Sequence, residues 1–154
     1  MALLQLEASE DDPWVASLRA QMAREMDELY GRPRHSVVAE SIDPASVVST
    51  VLVLDDGAPV ATAALRRLRR DVEVKRMFVV PSARGRGIAG LLLDTMEEQA
   101  RALRAPRLLL HTGERQTAAL ALYRRRGYVD VDVFAPYLDV PESVCLSKDL
   151  TPAT

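Results

Sequence analysis

Val74-Lys75-Arg76-Met77-Phe78-Val79-Val80-Pro81-Ser82-Ala83-Arg84-Gly85-Arg86-Gly87-Ile88-Ala89 is the stretch that decides how this chain folds. Its first half belongs to the strongest strand signal in the sequence, Val72 to Val80, which Pro81 stops. Beyond Gly87, apolar residues recur at Ile88, Leu91, Leu92, Met96 and Leu103, the stripe of an amphipathic helix. Gly85 and Gly87 stand between the two. A helix N-terminus leaves backbone N–H groups unpaired and carries partial positive charge, so it can seat a phosphate. Glycine lets a ligand approach the main chain there, and Arg84 and Arg86 add cationic charge close by. The stretch lacks the Gly-Lys-Ser/Thr of a P-loop. A dinucleotide-binding Gly-x-Gly-x-x-Gly would open a βαβ unit, whereas an antiparallel hairpin precedes this one.

The rest of the chain arranges itself around that core. Residues 2–6 suit a short strand. Asp11-Asp12-Pro13 starts a helix whose apolar positions are Trp14, Val15, Leu18, Met22, Met26 and Leu29, with Gly31 and Pro33 ending it. Residues 34–47 read as a loop with room for a short helix. Thr50–Leu54 and Pro59–Leu65 form a hairpin about Asp55-Asp56-Gly57. Arg107–His111 is a further strand. A helix from about Gln116 to Arg126 follows, with Gly127 suited to its C-terminal cap. Strands near Tyr128–Phe134 and Ser143–Ser147 come last. The order predicts an α/β chain, a mixed sheet with helices on its faces.

Composition narrows the function classes. The 154 residues suit a single domain spanning 1–154. A formal charge of -2 lacks the basic excess of a general nucleic-acid binder. The runs Arg66-Arg67 with Arg69-Arg70, and Arg124-Arg125-Arg126, read as solvated faces. One cysteine, Cys145, excludes an internal disulfide, and no His/Cys cluster suggests a metal. Neither a signal sequence nor a membrane span is evident, so a cytoplasmic location is expected.

Two segments together carry a more specific resemblance. The opening stretch resembles motif A of the GNAT superfamily of N-acetyltransferases, whose signature Gln/Arg-x-x-Gly-x-Gly/Ala is met by Arg84, Gly87 and Ala89. Ala118-x-x-x-Leu122-Tyr123-Arg124-x-x-Gly127-Tyr128 resembles the family's later helix and strand, and one strand separates the two segments, as in the family. Phe134-Ala135-Pro136-Tyr137 with Ser143-Val144-Cys145 is similar to a subgroup of small bacterial members. Ala89 replaces the more frequent final glycine, and Gln116 stands where asparagine is common.

The resemblance implies a central, mostly antiparallel sheet flanked by helices. It also implies transfer of an acetyl group from acetyl-CoA to a primary amine, by direct attack through a tetrahedral intermediate and with no metal. The acceptor would be a small molecule or a peptide or protein amine. Neither nucleic acid nor membrane is expected as partner, and a homodimer is left open. A non-catalytic acetyl-CoA sensor of the same fold is the alternative. Arg84, Gly85, Arg86, Gly87, Ile88, Ala89 and Gly90 would hold the pyrophosphate. The main chain of Met77, Phe78 and Val79 would meet the pantetheine arm, and Gln116 would contribute an amide. Glu73, eleven residues before Arg84, is the candidate base, with pairing to Lys75 or to an arginine across the sheet as its structural alternative. Tyr123 is the candidate acid beside the sulfur. Tyr30, His111 and Tyr137 are candidates for the acceptor pocket.

Overall fold

The computed structural model of the chain describes residues 2–34, 38 and 42–150. Strand β1 (Leu3–Glu7) leads to helix α1 (Pro13–Tyr30). Asp12 caps that helix by accepting from the backbone N–H of Trp14 and Val15, and Pro13 occupies its first turn. Gly31, at φ 65°, ends it. Then come β2 (Val47–Asp55), β3 (Ala58–Leu68) and β4 (Asp71–Val79). Helix α2 (Ile88–Ala102) follows the glycine turn, and β5 (Arg107–Gly113), α3 (Thr117–Arg125), β6 (Val129–Val131) and β7 (Ser143–Asp149) complete the order.

The seven strands form one sheet in the order β1-β2-β3-β4-β5-β7-β6. Every neighbouring pair is antiparallel except β4 with β5. Alternation along the strands splits the core between two faces. Val51, Val53, Val72, Val74, Leu108 and Leu110 pack with Leu92, Leu93 and Met96 of α2 on one face. Leu52, Leu54 and Phe78 pack with Val15 and Leu18 of α1 on the other. Each such side chain contributes about 1.5–3 kcal/mol by leaving water.

One irregularity in β4 positions the site. Thr62 pairs with Phe78 and Ala64 with Lys75, so β4 carries one more residue than β3 across this interval. Arg76 sits there at φ 55°, a conformation unusual for a side chain of its kind. This is a β-bulge, and a bulge bends its strand. Accordingly β4 pairs with β5 only at Val72, Glu73 and Val74. Beyond Val74 the two strands part, and the backbone of Met77 to Val79 has no strand partner on the β5 side.

The fold departs from the sequence expectations in three places. The hairpin strands β2 and β3 extend to Val47 and Leu68, further than their apolar cores suggested. β6 stops at Val131 rather than near Phe134, because residues 132–142, with Pro136 and Pro141, leave the sheet. In the 34–47 segment, Pro44–Ser46 form a single 3-10 turn capped by the Asp43 carboxylate. The remainder of the expected loop, 35–37 and 39–41, lies outside the described residues.

Among the described residues no helix is long and apolar enough to cross a membrane.

Candidate active site

The glycine turn is a backbone cradle. Gly85 and Gly87 adopt φ 78° and 82°, the left-handed region that side chains resist. A Cβ at either position would meet nothing within 4 Å, so both face open space. No side chain caps α2, and its first helical bond runs from the Leu91 N–H to the Gly87 carbonyl. The N–H groups of Ile88, Ala89 and Gly90 therefore have no intrahelical acceptor. Gly90 also serves packing, since a Cβ there would come within 3.0 Å of the Arg126 guanidinium. Arg126 in turn pairs with Asp94 of α2.

The two arginines of the turn are engaged elsewhere. Arg84 donates both to the Val79 carbonyl at 2.9 Å and to the two carboxylate oxygens of Glu25 on α1, at 2.8 Å each. Arg86 pairs with Asp55 at 2.7 Å. Both guanidinium groups are thus paired, Arg84 with Glu25 at the edge of the groove described below and Arg86 toward the β2–β3 turn.

A groove of about 680 Å³ runs from this cradle between the parted ends of β4 and α3. Met77, Phe78 and Val79 line one side; Gln116, Ala119, Leu122 and Tyr123 line the other. Of the basic run on α3, Arg125 borders the groove, whereas Arg124 pairs with Asp130 at 2.8 Å. A smaller cavity of about 70 Å³ opens on the other side of the parted strands. Met22, Met26, Met77, Gln116 and Tyr123 line both spaces.

Tyr123 is buried at that junction. Burial pushes its phenol up to about 12, so it keeps its proton across the working pH range. Among the described residues its hydroxyl has no hydrogen-bond partner. Gln116 also bridges the two walls. Its Oε1 accepts from the Gly113 N–H at 3.0 Å and from the Tyr30 hydroxyl at 3.3 Å. Tyr30 closes on Gly113 so tightly that a Cβ there would lie 1.6 Å from the hydroxyl oxygen. Tyr30 therefore joins α1 to β5, while Trp14 is exposed on the surface.

The smaller cavity borders a buried polar cluster that links β3, β4, β5 and the loop before β7. Glu73 is fully buried, and its Oε1 accepts from Arg66 Nε at 2.8 Å and from the Tyr137 hydroxyl at 2.9 Å. Arg66 Nη2 also donates to the Tyr137 oxygen at 3.0 Å. Lys75 Nζ lies 3.7 Å from the other Glu73 oxygen and 4.5 Å from the centre of the Tyr137 ring. Burial brings the Lys75 ammonium down to about 8, with Glu73 opposing the shift.

His111 stacks on Tyr137 at 3.7 Å, nearly parallel. Its Nε2 lies 2.8 Å from Ser143 Oγ, whose own proton goes to the Val140 carbonyl. Nε2 therefore carries the hydrogen, and Nδ1 is left as an acceptor. Burial, then the positive charges of Lys75, Arg34 and Arg66, push the imidazole down to about 2.

This geometry changes how two sequence candidates are read. Glu73 lines neither cavity, and both Arg66 and Lys75 crowd its carboxylate, so it is not placed to meet an incoming amine directly. Its partners include both structural alternatives expected for it, yet the site is buried rather than on the surface. Tyr137 is equally buried and meets the cavity wall at Lys75 and His111. Sequence reading missed Arg66, Arg34 and Lys75 as parts of the site. The signal for Arg66 was its place in β3 opposite Glu73, which requires the hairpin register.

Comparison with known proteins agrees with this architecture. The model of the acetyltransferase (GNAT) family matches residues 6–128. A curated relative, an IAA acetyltransferase of Azospirillum brasilense, is 47% identical over 78 residues. That match spans 51% of this chain and 51% of the relative, about half of its length. A Klebsiella pneumoniae structure, assigned as an acyl-CoA N-acyltransferase, is 27% identical, with a TM-score of 0.82 over 97% of this chain and 98% of that one. A GNAT-family acetyltransferase from Elizabethkingia anophelis, solved with acetyl-CoA bound, has a TM-score of 0.72 at 16% identity, over 96% of this chain and 97% of that one. At that identity the likeness shows the fold alone. The chain belongs to the acetyltransferase (GNAT) family.

Proposed function

We propose that this member of the GNAT family transfers an acetyl group from acetyl-CoA to a primary amine by direct attack on the thioester. The meeting of two spaces at Tyr123 carries the reading. The groove leading from the glycine cradle suits a long phosphorylated donor, and the smaller cavity suits the acceptor.

In this reading the N–H groups of Ile88, Ala89 and Gly90, with the turn at Arg84 to Gly87, receive the pyrophosphate. The backbone of Met77 to Val79, left unpaired by the bulge, receives the pantetheine arm. Acetyl-CoA supplies the activated acyl carbon. The N–C bond forms as the C–S bond breaks; the nitrogen loses one proton and the sulfur gains one. Tyr123 donates a hydrogen bond toward the departing sulfur. Its raised pKa makes it a standing donor rather than a ready source of protons, because a thiol ordinarily ionises near 8.5. Glu73 acts as a positioning residue that holds Lys75, Arg66 and Tyr137 against the acceptor wall.

The test has two stages. Saturating acetyl-CoA raises the unfolding temperature, because a ligand selective for the native state must stabilise it. Thiol release is then followed with a panel of amines. No stabilisation by acetyl-CoA sinks the proposal, and stabilisation without turnover of any amine favours a sensor. Tyr123→Phe lowers kcat on the order of tenfold to a hundredfold and leaves KM for acetyl-CoA nearly unchanged. Unchanged kcat removes the sulfur-side role of Tyr123.

A further inference from the structure

Positive charge surrounds the smaller cavity. Arg34, Lys75 and Arg76 line it, and no aspartate or glutamate does so among the described residues. Arg34 and Lys75 are each only 5% exposed. Burying a cation without a counter-charge is costly, so the distribution of carboxylates is informative. Glu73 answers two cations, Arg66 and Lys75. Glu10 likewise answers two, Arg19 and Arg76. Arg34 is held by the carbonyl oxygens of Pro141 and Thr112 and by the face of the Tyr30 ring; among the described residues no carboxylate bonds its guanidinium, and Glu142 and Glu114 act on it at longer range.

The same cations act on a fourth residue of the wall. His111, on the wall of the same cavity, is held neutral by burial and by the charges of Lys75, Arg34 and Arg66. The rest of the wall is mostly apolar, with Met22, Met26, Val74 and Leu110, and Thr112, Gln116 and Tyr123 add polar groups.

We infer that the acceptor is a primary amine that also bears a carboxylate on a small, apolar body, and that Lys75 and Arg34 receive that carboxylate. The inference rests on the acetyltransferase reading and specifies its substrate class. Lys75 shares its one carboxylate, Glu73, with Arg66, and Arg34 is bonded to carbonyl oxygens, so a substrate carboxylate adds negative charge where cations outnumber it, and charge-assisted hydrogen bonds are the stronger kind. The same field opposes a second positive charge, so di- and polyamines are disfavoured. It also favours the neutral amine, the form that attacks.

Matched pairs test this. L-methionine is compared with 3-(methylthio)propylamine and L-leucine with 3-methylbutylamine, with spermidine as the polycation. Thiol release gives kcat/KM, and NMR titration of the CoA-loaded protein reads binding at His111 without turnover. The carboxylated member of each pair is favoured at least tenfold, and spermidine is the poorest acceptor. In Lys75→Met and in Arg34→Met, each still stabilised by acetyl-CoA, the preference falls below threefold.

Equal or better use of the decarboxylated amines or of spermidine overturns the inference. So does a preference that survives in both variants, and so does the absence of preferential binding of the carboxylated members. If acetyl-CoA stabilises the protein in those cases, the donor reading stands and only the acceptor class fails. If acetyl-CoA does not stabilise it, the reading beneath the inference has failed.

Discussion

The Tyr137 hydroxyl donates to Oε1 of Glu73 across 2.9 Å, at a point where both residues are fully buried. This contact ties the loop before β7 to the middle of β4, where Glu73 also holds Arg66 and Lys75. A carboxylate in that position organises the acceptor wall. It supplies the anion that allows two cations to be buried, and it fixes the ring on which His111 stacks.

Removing that carboxylate is therefore costly to stability before it is costly to chemistry. Glu73→Ala leaves Arg66 and Lys75 without their counter-charge and destabilises the fold by about 3–5 kcal/mol. Glu73→Gln keeps an acceptor for Tyr137 and costs less. Chemical denaturation measures both. With a decarboxylated amine as acceptor, Glu73→Gln retains the pH dependence of kcat/KM, because in this reading the residue touches no substrate; with a carboxylated one the Lys75 limb moves to lower pH, since Glu73 holds that ammonium up. A limb that disappears from the Glu73→Gln profile restores Glu73 as the base.

Gly87 tests the cradle. Its φ of 82° strains any side chain, and Gly87→Ala costs about 1 kcal/mol in the protein alone. Gly87→Glu adds a carboxylate at the N-terminus of α2, where it competes for the N–H groups that would receive pyrophosphate. The thermal shift produced by acetyl-CoA disappears in Gly87→Glu although the unliganded variant still unfolds cooperatively. A full shift in that variant places the phosphates elsewhere.

Local signals made the cradle legible in the sequence, and long-range pairing hid the acceptor wall. The β4 strand, the glycines and the α2 stripe are adjacent, so periodicity and punctuation located them together. Gly31 and Gly127 marked helix ends for the same reason, and both have positive φ. Arg66 is the opposite case. As part of Arg66-Arg67 it read as a solvated run, yet cross-strand register places it beside Glu73, 3% exposed. The bulge at Arg76 was equally invisible, because it depends on a count of residues against β3. Arg84 and Arg86 were read from proximity to the turn, and their ion pairs with Glu25 and Asp55, distant in sequence, could not be.

His111 offers a pH test of the cavity's field. Its folded-state value near 2 lies below the ordinary value of 6.5, so between these limits the unfolded chain binds a proton that the folded chain does not. Stability attributable to this residue is complete above about pH 6.5 and falls as pH drops below it, by at most about 1.4 kcal/mol per unit. Denaturant midpoints from pH 7 to pH 5 fall less steeply in His111→Gln than in the wild type. In the wild type, NMR finds the His111 ring neutral at pH 5. An imidazole that titrates near 6.5 shows that neither burial nor the neighbouring cations act on it.

Lys75 gives the same field a kinetic signature. In the free protein its ammonium ionises at about 8, chiefly because it is buried; Glu73 and Cys145 oppose that shift, and Arg66 and Arg76 add to it. Tyr137 and neutral His111 complete its surroundings. Below about pH 8 the cavity therefore presents a cation to a carboxylated acceptor, and above it that charge is lost. Well below the pKa of either amine, both members of a matched pair gain reactivity in the same proportion as pH rises, so in that range the ratio of their kcat/KM values isolates the lysine. That ratio falls as pH rises through about 8, since kcat/KM follows ionisations of the free protein. Lys75→Arg keeps its charge throughout this range and holds the ratio level. A ratio that declines equally in Lys75→Arg assigns the titration to another group and removes Lys75 from carboxylate recognition.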